Sequence, residues 1–460
     1  MCVVTHIKNA CAGLIILTAF LFVFPVLVFA AEINQLNSAV AGQTLEDFFT
    51  AAVEFSPQLR IAEEQLNIGR ARDDQASGQL RPQINANANL SENSRNSFDA
   101  IGSQIEEDFD GQRYSISVQQ VLFNWQAFAS KRRAEKIKNQ LEAEYFFELS
   151  NLLTEVAGRY LNVLFARDSL TSIEAEIEAI TNQVDQIQSL FDLQLAQVTD
   201  LRRAEASLAA VQAEQLKLQA DLAVASENLR AISGIEVGEV NVLRLEPSLP
   251  EVEYDLAYWV SAAEQNNQLI RASRFALEAS EEGISESRGA YLPRVNFFAT
   301  RQESNVGFDN RFLGDTDNTY VGVDVTIPLF AGGSNRARES EARALRNIAE
   351  YELRQAELDA SANVRSAFLQ VQSSVLLTEA AERLLQSTRL SSEAAQQGFE
   401  LGTVTNVDVL NALRDQFNAE RDLQRARYEQ INYYLLLKRE AGTLSSKDLA
   451  EISNLMEPPG

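Results

Sequence analysis

Imidazole and thiolate do most nucleophilic attack, proton shuttling and metal ligation in proteins, and this chain carries almost none of either. Its one histidine, His6, and its two cysteines, Cys2 and Cys11, all fall within the first thirty residues. That stretch reads as an export signal. Lys8 lies in a short polar start, an apolar run extends from Ala10 to Phe29, and Val28-Phe29-Ala30 stands where a signal peptidase requires small residues. Cleavage is expected after Ala30. A retained membrane anchor is the alternative, against which stand Pro25 and the alanines before Glu32. Neither cysteine sits in a lipid-attachment pattern. From residue 31 onward there is then no His and no Cys. Ser-His and Cys-His nucleophile pairs and any His or Cys metal site are excluded. Carboxylates remain, but no paired motif stands out. No catalytic residue, cofactor or metal is expected, and the chain is not expected to be an enzyme.

Charge narrows the partners. The chain carries 40 Lys and Arg against 65 Asp and Glu. Losing Lys8 leaves 39 against 65, a net charge of −26. Nucleic acid is a poor partner for such a surface. Beyond residue 30 no segment approaches the ~20 consecutive apolar residues that a membrane-spanning helix needs. An exported chain of this kind ends in the periplasm, outside the cell, or in the outer membrane as a β-barrel.

The remaining sequence repeats itself. At a shift of 211, Leu45, Arg60, Gly78, Pro82 and Glu92 meet Leu256, Arg271, Gly289, Pro293 and Glu303. At 207, Leu122-Phe123 meets Leu329-Phe330; at 208, Phe191, Asp200 and Gly234 meet Phe399, Asp408 and Gly442. The shift changes between Glu92 and Arg113, where a polar loop would tolerate a change in length. We read an internal duplication. The first repeat spans residues 31–254, the second 255–442, and a tail 443–460 follows.

Each repeat predicts helix, strand, loop, strand, long helix, turn and helix. Thr44 can cap the first helix together with Asp47, and Ser56-Pro57 marks a second start or a kink. From Gln126 to Ser233 the only glycine is Gly158, and residues 334–397 hold neither Gly nor Pro. A helix through the latter would run about 96 Å at 1.5 Å per residue, longer than an ordinary globular domain. Leu201, Ala204, Leu208, Val211, Gln215 and Leu218 alternate steps of three and four, as do Val409, Ala412, Gln416, Ala419 and Leu423. Such stripes need a partner helix in a left-handed supercoil. Abundant alanine suits a hollow ring of helices, although a dimeric coiled coil explains the heptads equally well.

Four segments alternate with period two, at about 82–91, 113–123, 293–302 and 319–330. Ile84, Ala86, Ala88 and Leu90 oppose Gln83, Asn85, Asn87 and Asn89; Tyr114, Ile116 and Val118 oppose Ser115, Ser117 and Gln119. Val295, Phe297 and Ala299 oppose Asn296, Phe298 and Thr300, with Phe298 the exception; Val321, Val323 and Val325 oppose Tyr320, Gly322 and Asp324. One apolar and one polar face fit strands between lipid and a wet lumen. A soluble sandwich is the alternative. Polar loops, 91–112 and 303–318, are expected at one end of the strand pairs. Leu122, Phe123, Trp125, Leu329 and Phe330 lie at the other end, either in an interfacial belt or against neighbouring helices. Lys131, Arg132, Arg133, Lys136 and Lys138 follow, facing head groups or simply solvent. Open sheet edges cost several kcal/mol per unpaired group in hydrocarbon, so such strands require an oligomer.

The order of elements, the duplication and three strings resemble the TolC-type outer-membrane channel family. The strings are Leu401-Gly402-Thr403-Val404-Thr405-Asn406-Val407-Asp408-Val409-Leu410, Ile327-Pro328-Leu329-Phe330-Ala331-Gly332-Gly333, and Ala441-Gly442-Thr443-Leu444-Ser445-Ser446-Lys447-Asp448-Leu449. The resemblance covers residues 44 to 455. It implies an α+β membrane protein, mostly long helices, in which three chains build a helical barrel and a twelve-stranded β-barrel. Segments 235–254 and the tail would form a belt. The function implied is passive conduction of drugs or secreted proteins across the periplasm and outer membrane of a Gram-negative bacterium. The partners implied are a periplasmic adaptor, an inner-membrane pump of the ABC or RND type, and outer-membrane lipid.

Residue by residue, Asp408 falls on an aspartate ring at the periplasmic entrance, and Asn411 holds the place of the second ring's aspartate. Thr199 and Asp200 fall on gate positions whose usual tyrosine and arginine partners are here Phe399 and Val404. Neither can make the usual bonds, so closure must rest on other contacts. Leu193, Gln194, Leu401, Gly402 and Thr403 fall on the hairpin tips that meet the adaptor, Gln194 replacing a glycine. Read without the resemblance, Asp408 is a helix cap. The competing function is a coiled-coil structural or adhesive oligomer at the cell surface.

Overall fold

The computed structural model describes residues 42–98, 101–244, 247–306 and 312–458. The expected signal segment and its cleavage point lie outside the described residues. In chain order the elements are α1 (Leu45–Phe55), α2 (Pro57–Gly78), β1 (Gln83–Phe98), β2 (Gln104–Phe123), α3 (Trp125–Asp192), α4 (Val198–Ser233) and β3 (Val242–Leu243). The same series then recurs: α5 (Leu256–Asn266), α6 (Gln268–Gly289), β4 (Arg294–Val306), β5 (Phe312–Thr326), α7 (Ser334–Glu400) and α8 (Asn406–Glu440), closed by α9 (Ser446–Ser453) and β6 (Met456–Glu457).

Local chemistry sets the boundaries. Thr44 and Asp47 form a reciprocal capping box at α1, the Thr44 hydroxyl accepting from the Asp47 amide while the Asp47 carboxylate accepts from the Thr44 amide. Ser56 ends that helix and caps the next one, with Pro57 at its first position. At the equivalent point of the second repeat Asn267 does the same work alone, accepting from the Leu269 and Ile270 amides. With no proline inside them, α3 and α7 continue for 68 and 67 residues, about 100 Å each. Gly158 in α3 marks a close approach, since a Cβ there would stand 3.3 Å from the Asn432 amide oxygen on α8.

The four long strands form one antiparallel sheet in the order β1-β2-β4-β5, leaving β1 and β5 as its edges. They run further than their hydrophobic alternation does. The β1–β2 ladder continues from Leu90↔Gln112 to Phe98↔Gln104, and β4–β5 continues past Gln302↔Asn318 to Val306↔Phe312. Most of 91–112 and 303–318 is therefore paired strand, not loop. At the other end β5 stops at Thr326 and not at 330. Pro328 has no N–H to give a ladder.

Below the sheet the helices pack along the 3-4 stripes, and Leu201, Ala204, Val211, Val409, Ala419 and Leu423 are buried. The largest core cluster sits at the belt. Leu45 and Phe48 of α1, Tyr160 and Leu164 of α3, Leu229 of α4, Ile431 and Leu435 of α8 and Leu449 and Ile452 of α9 meet there. The β3–β6 pair, Val242↔Glu457 and Leu243↔Met456, ties the segment between the repeats to the tail. Tyr160 donates its hydroxyl to the carbonyls of Gln43 (3.2 Å) and Asn241 (3.3 Å), pinning α3 to the same belt.

Candidate functional site: a channel wall and a helical mouth

The register of the sheet sorts its side chains into two faces. Ile84↔Val118, Val118↔Ala299 and Ala299↔Val321 are successive partners, so these four side chains lie in one row on one face. The next row toward the helices includes the Phe297↔Val323 pair. Ile84, Ile116, Val321, Val323 and Val325 are all exposed in the single chain, Ile84 by 70 %. The opposite face carries Asn85, Ser117, Thr300 and Tyr320 in one row. Phe298, the exception to the alternation, lies across Gly322, where a Cβ would stand 2.8 Å from its ring. It fills the gap left by a residue with no side chain. A sheet with one bare apolar face and one polar face separates lipid from water.

The basic cluster beneath the sheet is partly exposed and is paired with carboxylates. Arg132, Arg133 and Lys136 of α3 pair with Glu282, Glu286 and Glu278 of α6, and Lys138 pairs with Asp73 of α2. Lys131 pairs with Glu135 on its own helix. Trp125 likewise turns to the helices, donating its Nε1 to Ser285 Oγ (3.1 Å) under the Arg132 guanidinium. Leu329 and Phe330 stay bare, as an interfacial pair would be.

At the far ends of the long helices are two tight tips. In the second, Gly402 takes φ +74° after α7 and Thr405 caps α8 in a box with Asp408. The Asp408 carboxylate accepts from the Thr405 amide (3.2 Å) and hydroxyl, and these bonds hold its pKa below the ordinary value. Asp408 and Asn411 are both exposed on α8. The first tip is built more weakly. Gln194 takes the left-handed φ of +63°, and Gln197 begins α4 with no side-chain cap. Leu193, Gln194, Leu401, Gly402 and Thr403 are exposed together with Leu195.

The gate positions are not brought together as side chains. Thr199 donates its hydroxyl to Gln197 Oε1 within its own turn. Asp200 takes part only through its carbonyl, which accepts from Asn406 Nδ2 at 3.3 Å. Phe399 and Val404 join an apolar cluster with Ile180, Ala204, Val409, Leu410 and Leu413. The polar cross-link between the hairpins lies elsewhere. Gln183 Nε2 donates to Asn406 Oδ1 at 2.9 Å, and both side chains are buried. Higher up, Arg421 of α8 reaches Glu176 of α3, only 2 % exposed, at 2.8 Å. Higher again, Tyr428 donates to Asp168 at 2.6 Å, whose carboxyl is pushed above its ordinary range chiefly by burial. Ile173, Glu176, Ile180, Gln183 and Ile187 follow one another on α3 in steps of three and four, all buried. Two polar residues on an apolar seam were a readable signal of this cross-link.

A family profile described as outer membrane efflux protein matches residues 50–235 and 259–443, one block in each repeat. The chain belongs to this family. It is an outer-membrane channel of the efflux and secretion type, in a family of conduits and not of enzymes. Among similar proteins are the outer membrane protein TolC of Vibrio cholerae, 28 % identical over 92 % of this chain and 96 % of that protein, and the alkaline protease secretion protein AprF of Pseudomonas aeruginosa, 23 % identical over 92 % and 89 %. Among solved structures, the Vibrio cholerae outer membrane protein VceC superposes with a TM-score of 0.72 at 19 % identity over 86 % of this chain and 96 % of its own. The Campylobacter jejuni CmeC channel gives 0.74 at 15 %, covering 90 % of each. The outer membrane efflux protein fold is thus shared at low identity.

Proposed function

We propose that three copies of this chain close edge to edge into one conduit. Its β-barrel pierces the outer membrane, and its helices reach across the periplasm to an adaptor and an inner-membrane pump of the ABC or RND type. Drugs or secreted proteins pass through it passively. One observation carries the reading: a four-stranded sheet with two unpaired edges and an apolar face bare on one side. Eight strands make a barrel filled by its own side chains, so an open lumen needs three chains, not two. Support comes also from α7, where Leu358, Leu369, Leu376 and Leu390 are exposed in the single chain, as a helix that meets a neighbouring copy in a ring would be.

The hairpin tips form the periplasmic mouth in this reading. Asp408 narrows it, with Asn411 one turn above. Exposed Leu193, Leu195 and Leu401, beside Gln194, Gly402 and Thr403, offer the adaptor a small apolar surface. Closure of each protomer rests on the Gln183–Asn406–Asp200 carbonyl link over the Phe399–Val404 apolar cluster, in place of side-chain bonds from Thr199 and Asp200. The test is purification in mild detergent, electrophoresis with and without heating, and planar-bilayer recording. A heat-sensitive trimer with unitary conductance is expected. A stable lone protomer that passes no current would overturn the reading, and a multimer that passes none would return the surface-oligomer alternative.

A further inference from the structure

The seam between α3 and α8 carries polar rungs where an apolar seam would pack as well. From the tip upward these are Gln183 with Asn406, Glu176 with Arg421, and Asp168 with Tyr428. The Glu176 side chain is 2 % exposed and that of Arg421 16 %, so a full ion pair is held almost out of water. Building on the mouth assigned above, we propose that Glu176 and Arg421 act as a positioning pair that keeps this seam separable. The mouth then opens by parting α8 from α3, from the tips up to the Asp168–Tyr428 rung and no further.

A buried ion pair adds little net stability. Withdrawing both charges from water offsets most of their attraction, and well-packed apolar residues in their place often hold a fold as well or better. Stability therefore does not explain the pair, whereas separation does. When the helices part, water enters, and Glu176 and Arg421 recover the hydration they gave up. Parted isoleucines recover nothing, and their exposed surface opposes the opening. Each polar rung thus narrows the gap between the closed and the parted seam. Ile173 and Ile180, between the rungs and packed with Val409, Leu410, Leu413 and Phe417, still favour closure.

The placement of the rungs marks the limits of the parting. From Gln183 to Asp168 they span about 22 Å of α3 at 1.5 Å per residue. Above Asp168 the seam enters the belt, where Tyr160 and Leu164 meet Ile431 and Leu435, each at most 1 % exposed. A further polar contact, Arg439 with Thr154, lies beyond that core. The seam inside the second hairpin is built otherwise. Between α7 and α8, Leu385 packs with Ala419 and Leu423, and the ion pairs Arg389–Glu420 and Arg427–Glu382 each keep one partner half exposed. That hairpin moves as a unit, and the joint that parts is the one between the repeats.

Beyond residue 30 the chain has no cysteine, so one introduced thiol can be followed alone. Ile173→Cys lies among the rungs and Leu164→Cys in the belt core, at positions at most 1 % exposed. Each is made in the full chain, and its rate of modification by a charged methanethiosulfonate is measured in detergent. Ile173→Cys is expected to react slowly and Leu164→Cys not at all. Arg421→Met leaves Glu176 buried and unpaired and is expected to speed Ile173→Cys about tenfold. Glu176→Leu together with Arg421→Met is expected to slow it about tenfold, because the apolar seam no longer gains hydration on parting. A pair that served structure alone would not give opposite signs. A double replacement in which Ile173→Cys reacts at the parent rate or faster would overturn the proposal, a result readable even if Arg421→Met does not fold. So would Leu164→Cys reacting alongside Ile173→Cys. Modification reports the seam in every copy whether or not the assembly conducts, so a failure of conductance would strike the conduit reading alone.

Discussion

Asp408 performs two jobs that a single substitution confounds and two substitutions separate. Its carboxylate closes a capping box with Thr405, and its charge stands exposed at the proposed entrance. Asp408→Asn keeps an acceptor for the Thr405 donors and loses the charge, whereas Asp408→Ala loses both. Both variants are expected to weaken block by multivalent cations in single-channel recordings, and only the alanine variant to loosen the start of α8. Unchanged block in both removes the entrance role. The pH dependence follows from the lowered pKa. A depressed carboxylate keeps its charge, and what that charge stabilises, as pH falls below the usual aspartate range; both are lost only on passing the lowered value. Block is therefore expected to persist below pH 3.8, the ordinary aspartate value. Gln194 poses a different residue-scale problem, as the one non-glycine with positive φ among the described residues. The left-handed conformation costs an L-residue roughly 1–2 kcal/mol, but glycine gives back about 0.5–1 kcal/mol through its freer unfolded chain. Gln194→Gly is thus expected to be neutral to stabilising, by up to about 1.5 kcal/mol. Gln194→Val, β-branched at the same φ, is expected to speed proteolytic nicking at 193–197 several-fold.

Elements were legible in the sequence where a solvent boundary imposed a pattern on them. β1 alternates from Ile84 to Leu90, as a strand with one face to lipid and the other to water does, and there the expected alternation and the register agree. From Ser91 to Ser97 every residue is polar, so the alternation vanishes although the ladder to β2 continues. Pairing is carried by the backbone and leaves no trace in side-chain type. The fourth strand shows the converse, its apolar alternation running on through Ile327 and Leu329 after Pro328 has ended the ladder. The mouth was half legible: the tips and the Thr405–Asp408 cap follow from local residue type, but the link from Gln183 to Asn406 joins positions 223 apart and needs the packing of α3 against α8. That link carries its own prediction. Asn406→Leu strands Gln183 Nε2 in a buried place, at roughly 1–3 kcal/mol, while the Asp200 carbonyl keeps its bond within α4. The hairpins of a protomer are then expected to part more readily, read as larger or longer open events in bilayers. Identical gating in the variant would show that the cross-link is not the closure.

At the scale of the whole molecule, the sheet explains why one chain is not enough. An edge strand in hydrocarbon leaves a row of N–H and C=O groups unpaired, and β1 and β5 are both edges. Joining β1 of one copy to β5 of the next satisfies both at once, and repeating the step around an axis removes every edge. That closure also decides which face a substitution must respect. Val323 sits mid-band, between Val321 and Val325 along β5 and beside Phe297 across the ladder. Asn87 lies on the opposite face, paired with Ser115. A lysine at the bilayer midplane on a lipid-facing barrel position costs about 2–4 kcal/mol, and threefold assembly would meet that cost three times. Val323→Lys is therefore expected to abolish the heat-sensitive multimer in outer-membrane fractions. Asn87→Lys, placed in the lumen, is expected to assemble normally and to shift ion selectivity toward anions. The reverse outcome, with Asn87→Lys failing and Val323→Lys assembling, would mean that the apolar face points inward and that the sheet is not a channel wall.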